Sequence, residues 1–451
     1  MKYKSQKVAY WFFALSMLLL VLQIVYGFIM GFARIGFDGL HEWIPFNTAR
    51  SSHINLLVVW LLSGFMGAAY YIIPEESETE LWSTKLAYIQ LISLALVGVV
   101  TIAGFHYNFW EIFGWEAVEG RKFLEIPRQL DWPVAINVIL FLIILLMTMI
   151  KGKKTTTTSL ILYGGLVAAA LLYLPGMITF DSQVTDSFFR WWVVHLWVEG
   201  VWELIMGGML AFLLIKLTGV DREVIEKWLY VVIGLTFLSG ILGTGHHYYY
   251  IGVNKIWLIV GGIFSALEPL AFLAMTLWAI NMYRKGEKKH PNKTAILWTL
   301  GSAIIAFFGA GVLGLAHTLP QTNIYTHGTI ITAMHGHLAF WGAYAMIVFA
   351  LISYALPTLS GRKLYDTATA RLAFWLSNTG MLIMVAAFAV AGIAQVYMER
   401  IMKVDFGKVQ TEIEPHFWVL IMGATIFLLG ITLYIVEFIK HGLPNDEALE
   451  N

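Results

Sequence analysis

Long apolar stretches, separated by short polar segments, recur along the whole chain of 451 residues. Each stretch is long enough to cross a hydrocarbon core of about 30 Å as a helix. The pattern predicts an all-α integral membrane protein, a bundle of twelve transmembrane helices. No Pro- or Ser-rich linker divides them, so we expect one domain over residues 1–451. The predicted spans are residues 8–31, 51–73, 85–108, 133–150, 158–177, 188–216, 225–246, 256–283, 294–316, 325–355, 367–398 and 412–439.

Composition excludes several classes of protein. With 59% hydrophobic and 13% charged residues, the chain is not a soluble globular protein. Its formal net charge of zero argues against a nucleic-acid partner. The absence of cysteine excludes thiolate-bound iron–sulfur clusters, thiolate copper sites and a covalently attached c-type haem within this chain.

Basic residues predict the orientation, because loops rich in Lys and Arg stay in the cytoplasm. With the N-terminus inside, most of the 29 Lys and Arg residues fall in inner loops, including the clusters at 151–154 and 284–293. Both termini are therefore expected to be cytoplasmic. No cleavable signal peptide is expected, because the first apolar run is too long and lacks a small-residue cleavage site.

The run from Tyr325 to Tyr354 carries His335 and His337 in its outer half. Residues two apart on a helix point to nearly opposite sides, so each histidine needs a partner of its own. Two imidazoles that face opposite ways suit a helix placed between two flat, iron-centred cofactors. Hydrogen bonds to neighbouring helices are the structural alternative.

Other ionisable groups also lie within predicted spans, where they are costly and usually functional. The sixth span, WWVVHLWVEGVWELIMGGML, places three of them at successive i, i+4 positions, and so on one helix face. The groups are His53 in the second span, His195, Glu199 and Glu203 in the sixth, His246 and His247 in the seventh, and Glu268 in the eighth.

All six of these span histidines lie within roughly 15 Å of the outer ends of their spans, at about 1.5 Å per residue. Histidines placed for unrelated packing reasons would have no cause to share one depth. The shared layer therefore favours a metal assembly over separate hydrogen-bonded histidines.

The histidines can be divided among cofactors by coordination chemistry. A haem in a helical bundle takes two axial imidazoles for electron transfer, and one when it keeps an open reactive face. His53 and one member of the tenth-span pair suit the first case, and the other member suits the second. The remaining three imidazoles alone would suit copper or zinc, whereas a carboxylate one turn from His195 favours non-haem iron.

Four sequence blocks, HLWVEGVWE, GHH, SALEPL and HGHLAFWGAY, carry a resemblance that covers essentially the whole chain. In these blocks the chain resembles the catalytic large subunit of bacterial nitric oxide reductases of the cytochrome c-dependent type, within the haem–copper oxidase superfamily. The resemblance implies a low-spin haem b, a high-spin haem b and one non-haem iron. The implied ligands are His53 and His337 for the low-spin haem, His335 for the high-spin haem, and His195, His246, His247 and Glu199 for the iron.

Glu199 discriminates between related activities. Oxygen-reducing relatives that carry their active tyrosine on this helix place it four residues after the first metal-binding histidine, where it helps to split the O–O bond. A carboxylate at this position suits the coupling of two NO molecules instead. The resemblance gives Glu268 a role beside Glu199, positioning it or relaying protons. A buried pair of structural acids is the alternative for Glu199 and Glu203.

The outer loop after the third span departs from the family pattern. The family normally has an arginine followed by a glutamate that helps to hold calcium between the haem propionates, whereas this chain has Arg121 followed by Lys122. Calcium is therefore in doubt, and we expect the Lys122 ammonium to replace the ion. Arg121 is a candidate propionate contact, and Glu125 is a candidate proton entrance. Ordinary solvated loop charges are the alternative.

The resemblance implies the conversion of two NO molecules, two electrons and two protons into N2O and water, in the bacterial cytoplasmic (inner) membrane. The electron donor is expected to be a small membrane-anchored cytochrome c subunit or another donor on the outer face. Protons are expected from the outer face, without pumping.

Two other functions are open from sequence alone. A terminal oxygen reductase is disfavoured by Glu199 and by the lack of thiolate copper ligands. A twelve-helix secondary transporter would also carry buried acids and histidines, although no internal repeat is evident.

Overall fold

The computed structural model describes residues 1–40, 42–115, 121, 123–287, 289–445 and 447. Lys122 lies outside the described residues. Within them, twelve helical segments are long and apolar enough to span a membrane, and they are labelled α1 to α12 in chain order. Their bounds are Lys4–Ala33, Phe46–Ser77, Thr84–Tyr107, Arg128–Lys151, Thr157–Met177, Gln183–Thr218, Arg222–Tyr248, Ile256–Lys285, Lys293–Thr318, Ile331–Ser360, Ala368–Ile401 and Phe406–His441.

The twelve predicted spans are confirmed, but several ends differ. Helix α4 begins at Arg128, before the predicted start, because Arg128 and Asp131 neutralise each other in an ion pair of 3.0 Å. The tenth predicted span was wrong at its start. A separate short helix, Pro320–Thr326, precedes α10, and Gly328 turns the chain between them at φ 72°.

Helices α6 and α10 form the centre of the bundle. In each of these helices, 83% of the most apolar 18-residue stretch is buried inside the protein, whereas in α3 only 17% of that stretch is buried. Helix α3 therefore belongs to the lipid-facing periphery. Helices α1 and α2 pack along each other, as do α11 and α12.

Wide π-helical turns interrupt four helices at mid-length or near the end. They lie at Trp197–Val201, Phe307–Val312, Trp341–Ala345 and Tyr397–Ile401. Such turns occur often at functional sites, because the extra residue re-aims the side chains around it. Glu199 lies in the turn of α6, with a backbone that departs from helical geometry at φ −106° and ψ 24°.

Candidate metal centre

Three imidazoles and one carboxylate converge between α6 and the end of α7. The ring centroid of His195 lies 4.8 Å from that of His246 and 5.3 Å from that of His247. His246 and His247 are 4.2 Å apart. Each of these residues and Glu199 offers one ligand atom, and the four atoms lie within 4.8 Å of one another. Small side-chain rotations would bring all four onto one ion.

His195 is oriented to use its Nδ1 atom as a ligand. Its Nε2–H donates to the Gly240 carbonyl at 2.7 Å, which leaves the lone pair on Nδ1. That atom is buried without a hydrogen-bond partner and faces Glu199 Oε2 at 3.6 Å. Two acceptors that face each other in an apolar interior need a cation between them. The donor set therefore fits a metal ion.

His246 and His247 are oriented by different means. Nδ1 of His246 is hydrogen-bonded to the Ser265 hydroxyl at 2.8 Å, which leaves Nε2 for a metal. In the described part of the chain, neither ring nitrogen of His247 makes a hydrogen bond. Its ring instead stacks on Trp191, at 4.2 Å between centroids and 6° between planes. Packing against Trp191 thus takes the place of the usual hydrogen bond to a metal-binding histidine.

Two further carboxylates lie next to this cluster. Glu268 places its Oε1 atom 3.9 Å from His246 Nδ1, and that oxygen is buried without a hydrogen-bond partner. Glu203 accepts a hydrogen bond of 2.9 Å from the Thr236 hydroxyl of α7. The predicted acids are therefore brought together. However, the spacing of Glu199 and Glu203 predicted one regular helical turn between them, and the wide turn at Glu199 replaces it.

Two glycines of α7 make room for these acids. A Cβ at Gly240 would lie 1.9 Å from the Glu199 carbonyl oxygen, and one at Gly243 would lie 2.1 Å from Glu268 Oε1. Any larger residue would displace the turn of α6 or the Glu268 side chain. Glycine at both positions lets α7 approach the acids closely.

His53 of α2 and His337 of α10 form a second arrangement. Their rings lie 6.3 Å apart at 29°. The Nδ1–H of His53 donates to the Gln23 carbonyl at 2.8 Å, and that of His337 donates to the Ala333 carbonyl at 2.8 Å. With bonds of about 2 Å from each nitrogen to a metal, two axial imidazoles would have centroids roughly 6 Å apart. The pair fits one six-coordinate iron.

His335 points away from His337, as their spacing predicted. Its Nδ1–H donates to the Gly309 carbonyl at 3.0 Å, which leaves Nε2 for a single axial bond. A Cβ at Gly314 would come within 3.3 Å of the His335 ring. This histidine therefore fits a cofactor that takes one axial imidazole.

The outer-loop candidates occupy defined positions. Arg121 donates to Asp186 at 2.9 Å and to the carbonyls of Gly176 and Ile178, so three of its donor positions already have protein acceptors. Glu125 accepts 3.1 Å from Asn55, and burial raises the pKa of its carboxyl group. Propionate binding by Arg121 and proton entry at Glu125 stay predictions.

Three further residues lie around the site and were not predicted from the sequence. Arg50 precedes His53 by one turn of α2 and has a buried Nη2 atom without a partner, as expected of a residue that binds an anionic group. His317 lies 6.1 Å from His335 and bonds two threonines. The position of Arg50 was readable from its i, i+3 spacing to His53. The positions of Trp191 and His317 were not, because they depend on contacts between helices distant in sequence.

The fold agrees with comparisons to known proteins. Residues 7–426 match the family described as cytochrome c and quinol oxidase polypeptide I. The chain belongs to this family. A nitric oxide reductase subunit of Stutzerimonas stutzeri is 45% identical to it, over 98% of this chain and 96% of that protein.

More distant members of the oxidase family are also similar. The cbb3-type cytochrome c oxidase subunit CcoN1 of Stutzerimonas stutzeri is 22% identical, over 86% of this chain and 84% of that protein. A haem–copper terminal oxidase dimer shares the fold at a TM-score of 0.75 and 16% identity, over 99% of this chain and 85% of that chain. Family and histidine cluster together indicate a multi-pass membrane oxidoreductase that binds haem and metal.

Proposed function

We propose that this protein reduces nitric oxide to N2O at a high-spin haem b and a non-haem iron, fed by a low-spin haem b. One observation carries the proposal. A carboxylate, Glu199, faces the unpartnered Nδ1 of His195 in the three-imidazole cluster, where oxygen-reducing relatives with a tyrosine on this helix have a phenol. The 45% identity to a nitric oxide reductase subunit supports the same conclusion.

In this proposal, His53 and His337 would hold the low-spin haem and His335 would hold the high-spin haem. The cluster of His195, His246, His247 and Glu199 would hold non-haem iron. When bound, the irons supply electrons to NO and stabilise the negative charge that develops on it. A hard carboxylate oxygen among imidazoles favours iron over copper at the cluster.

Glu199, Glu203 and Glu268 manage protons and charge. Glu199 would help to hold the metal and would deliver a proton as negative charge develops on NO. Glu268 positions Glu199, and Glu203 is held in place by Thr236. Surrounding tryptophan and phenylalanine side chains exclude bulk water and admit a small uncharged gas. Two NO molecules, two electrons and two protons thereby give one N2O and one water.

The alternatives are weaker. A secondary transporter is wrong, because the chain belongs to the oxidase family. A terminal oxygen reductase is disfavoured, because Glu199 is a carboxylate where oxygen-reducing relatives with a tyrosine on this helix have a phenol. We further propose a cytochrome c subunit on the outer face as electron donor, and the bacterial inner membrane as location. Whether calcium or the Lys122 ammonium lies between the haem propionates stays a prediction, since that residue lies outside the described part.

Replacement of Glu199 tests the function directly. E199A should abolish NO consumption, measured with an NO electrode, and leave the reduced-minus-oxidised spectrum of the low-spin haem unchanged. The wild-type protein should consume NO and contain two haems and one non-haem iron per chain. Full NO turnover in E199A would contradict the role of this carboxylate. A colourless wild-type preparation would overturn the whole assignment.

A further inference from the structure

A hydrogen-bonded pair, a half-buried tyrosine and a buried carboxylate, lies away from the proposed catalytic cluster. Tyr173, in the last turns of α5, donates its hydroxyl proton to Asp131 Oδ1 at 2.5 Å. Asp131 is fully buried near the start of α4, and the Arg128 guanidinium lies 3.0 Å from its other oxygen. Ionisable groups in membrane helices usually mark a function. The proposed reaction uses neither Tyr173 nor Asp131.

The Tyr173 ring begins a continuous series of aromatic contacts, here named the aromatic column. Tyr173 stacks on Trp197 with 5.4 Å between centroids and 30° between planes. Trp197 lies 6.0 Å from Trp202, and Trp202 lies 5.3 Å from Tyr344. All three steps fall in the range of direct ring packing, about 4.5–7 Å. The column therefore connects α5, α6 and α10 without a gap.

The aromatic column runs beside the candidate metal centre. Trp197 opens the wide turn that contains Glu199, and Trp202 follows that turn directly. The Tyr344 hydroxyl donates to the carbonyl of Val198, the residue before Glu199. The Tyr344 end of the column thus contacts the backbone next to Glu199, a proposed ligand. The Tyr173 end lies at Asp131.

We propose that the aromatic column is an electron-donating chain, with Tyr173 as its redox-active end and Asp131 as the base that takes the Tyr173 proton. It protects the centre when dioxygen or peroxide, rather than NO, reacts there. This inference rests on the proposed function. Because Glu199 stands where a phenol would supply an electron and a proton for splitting O–O, the centre itself lacks that reserve, and Tyr173 supplies it from outside.

Tyr173 loses one electron, which passes through Trp197 and Trp202 to the oxidised centre. Its phenolic proton moves to the Asp131 carboxylate, so a neutral tyrosyl radical and a protonated Asp131 remain. An external one-electron reductant such as ascorbate restores Tyr173, and Asp131 returns the proton. Two such events deliver the two electrons that one hydrogen peroxide needs to become two waters, with two protons from the aqueous phase.

A base next to its hydroxyl group makes Tyr173, rather than another tyrosine, suitable for this role. A phenol that loses an electron becomes a strong acid, so its oxidation is easy only where a base lies within hydrogen-bond distance. The Asp131 carboxylate fulfils this condition, and the Arg128 guanidinium, 3.0 Å from its other oxygen, favours the ionised form before the transfer. A purely structural role would also explain a bond between α5 and α4, but it predicts no radical at Tyr173.

Electron paramagnetic resonance after peroxide treatment separates these roles. The purified, oxidised holoenzyme is mixed with hydrogen peroxide and freeze-quenched. Wild type should show a tyrosyl signal, and Y173F, which keeps the stacked ring, should lose it. Y163F, on the same helix but outside the column, is the matched control and should keep it. D131N should reduce the signal, and Y173F should lose haem absorbance faster under repeated peroxide additions.

The outcomes are distinguishable from those for the proposed function. NO consumption in the same preparations should be equal in wild type, Y173F and Y163F. A radical of unchanged spectrum and amplitude in Y173F, or no radical in wild type, overturns this inference while leaving NO reduction intact. Wild-type protein that forms the radical but consumes no NO overturns the proposed function instead. If Y173F fails to fold, D131N with its unchanged aromatic rings carries the test.

Discussion

Trp191 lies face to face with His247, and we expect it to hold this imidazole in a metal-binding orientation. W191L removes the flat surface and should weaken binding of the non-haem metal by about 10–100-fold, the usual effect of losing a partner that orients a metal ligand. W191F keeps an aromatic ring and should retain most of the metal. Metal analysis against haem absorbance measures the effect.

Exposed Trp132 provides the control for this substitution. W132L should have wild-type metal content, and all three variants should keep the spectrum of the low-spin haem. Full metal occupancy in W191L at limiting iron would show that His247 is held without the stack.

Glu125 makes the stability of the protein depend on pH. Burial raises the pKa of its carboxyl group above the usual 4.5, although Asn55 and the charge of Arg50 oppose the shift. Above pH 4.5 an unfolded chain releases this proton while the folded protein retains it. The free energy of unfolding should therefore fall as pH rises through the window between the two pKa values.

The glutamine in E125Q does not titrate, so this variant should lack this part of the pH dependence. Its free energy of unfolding should not show the fall that Glu125 causes in the wild type as pH rises. Thermal unfolding midpoints across the acidic and neutral range measure it. E111Q, on an exposed part of the same loop, should follow wild type. Identical pH profiles for wild type and E125Q would show that Glu125 does not bind a proton differently in the folded state.

At the scale of helices, the sequence predicted which elements carry the site but not their local geometry. The two-residue spacing of His335 and His337 was sufficient to place them on opposite sides, because a regular helix has a fixed rotation per residue. Regular spacing failed at Glu199, because a wide turn adds a residue there. Its cause lies in packing between α6 and α7, where Gly240 admits the turn, and one-dimensional periodicity does not contain that contact.

Helix α7 supplies a direct test of this close approach. In G243A the added Cβ would lie 2.1 Å from Glu268 Oε1, so the carboxylate must move away from His246. We expect lower NO turnover with an unchanged low-spin haem spectrum. G234A, on the same helix, has open space around its Cβ and should gain up to about 1 kcal/mol from better helix propensity.

The two glycine substitutions should therefore affect different properties of the protein. G243A should lose activity, and G234A should unfold at a slightly higher temperature with normal activity. Equal activity in G243A and wild type would mean that Glu268 can act from a displaced position.

Across the whole molecule, the candidate site lies toward the predicted outer face of the membrane. Apolar segments of α6 and α10 separate it from the predicted inner face. The part of α6 from Ile205 to Leu214 consists of buried apolar residues and glycines. In α10 the part from Met346 to Ile352 is likewise buried and apolar. A polar cavity of about 140 Å³ at the predicted inner ends of these helices, lined by Glu75 and Lys216 among others, lies beyond both apolar segments. Along α6 and α10, protons from the cytoplasm would have to cross these apolar segments.

We therefore expect turnover to move no net charge across the membrane, because we expect electrons and protons both to arrive from the outer face. In sealed vesicles that contain the holoenzyme with outward-facing donor sites, an outer electron donor and NO should produce no membrane potential on a voltage-sensitive dye. An uncoupler should leave the NO consumption rate unchanged. A proton-pumping oxygen reductase in the same vesicles provides the positive control. A potential that forms during NO turnover and collapses with the uncoupler would place the proton source on the cytoplasmic side.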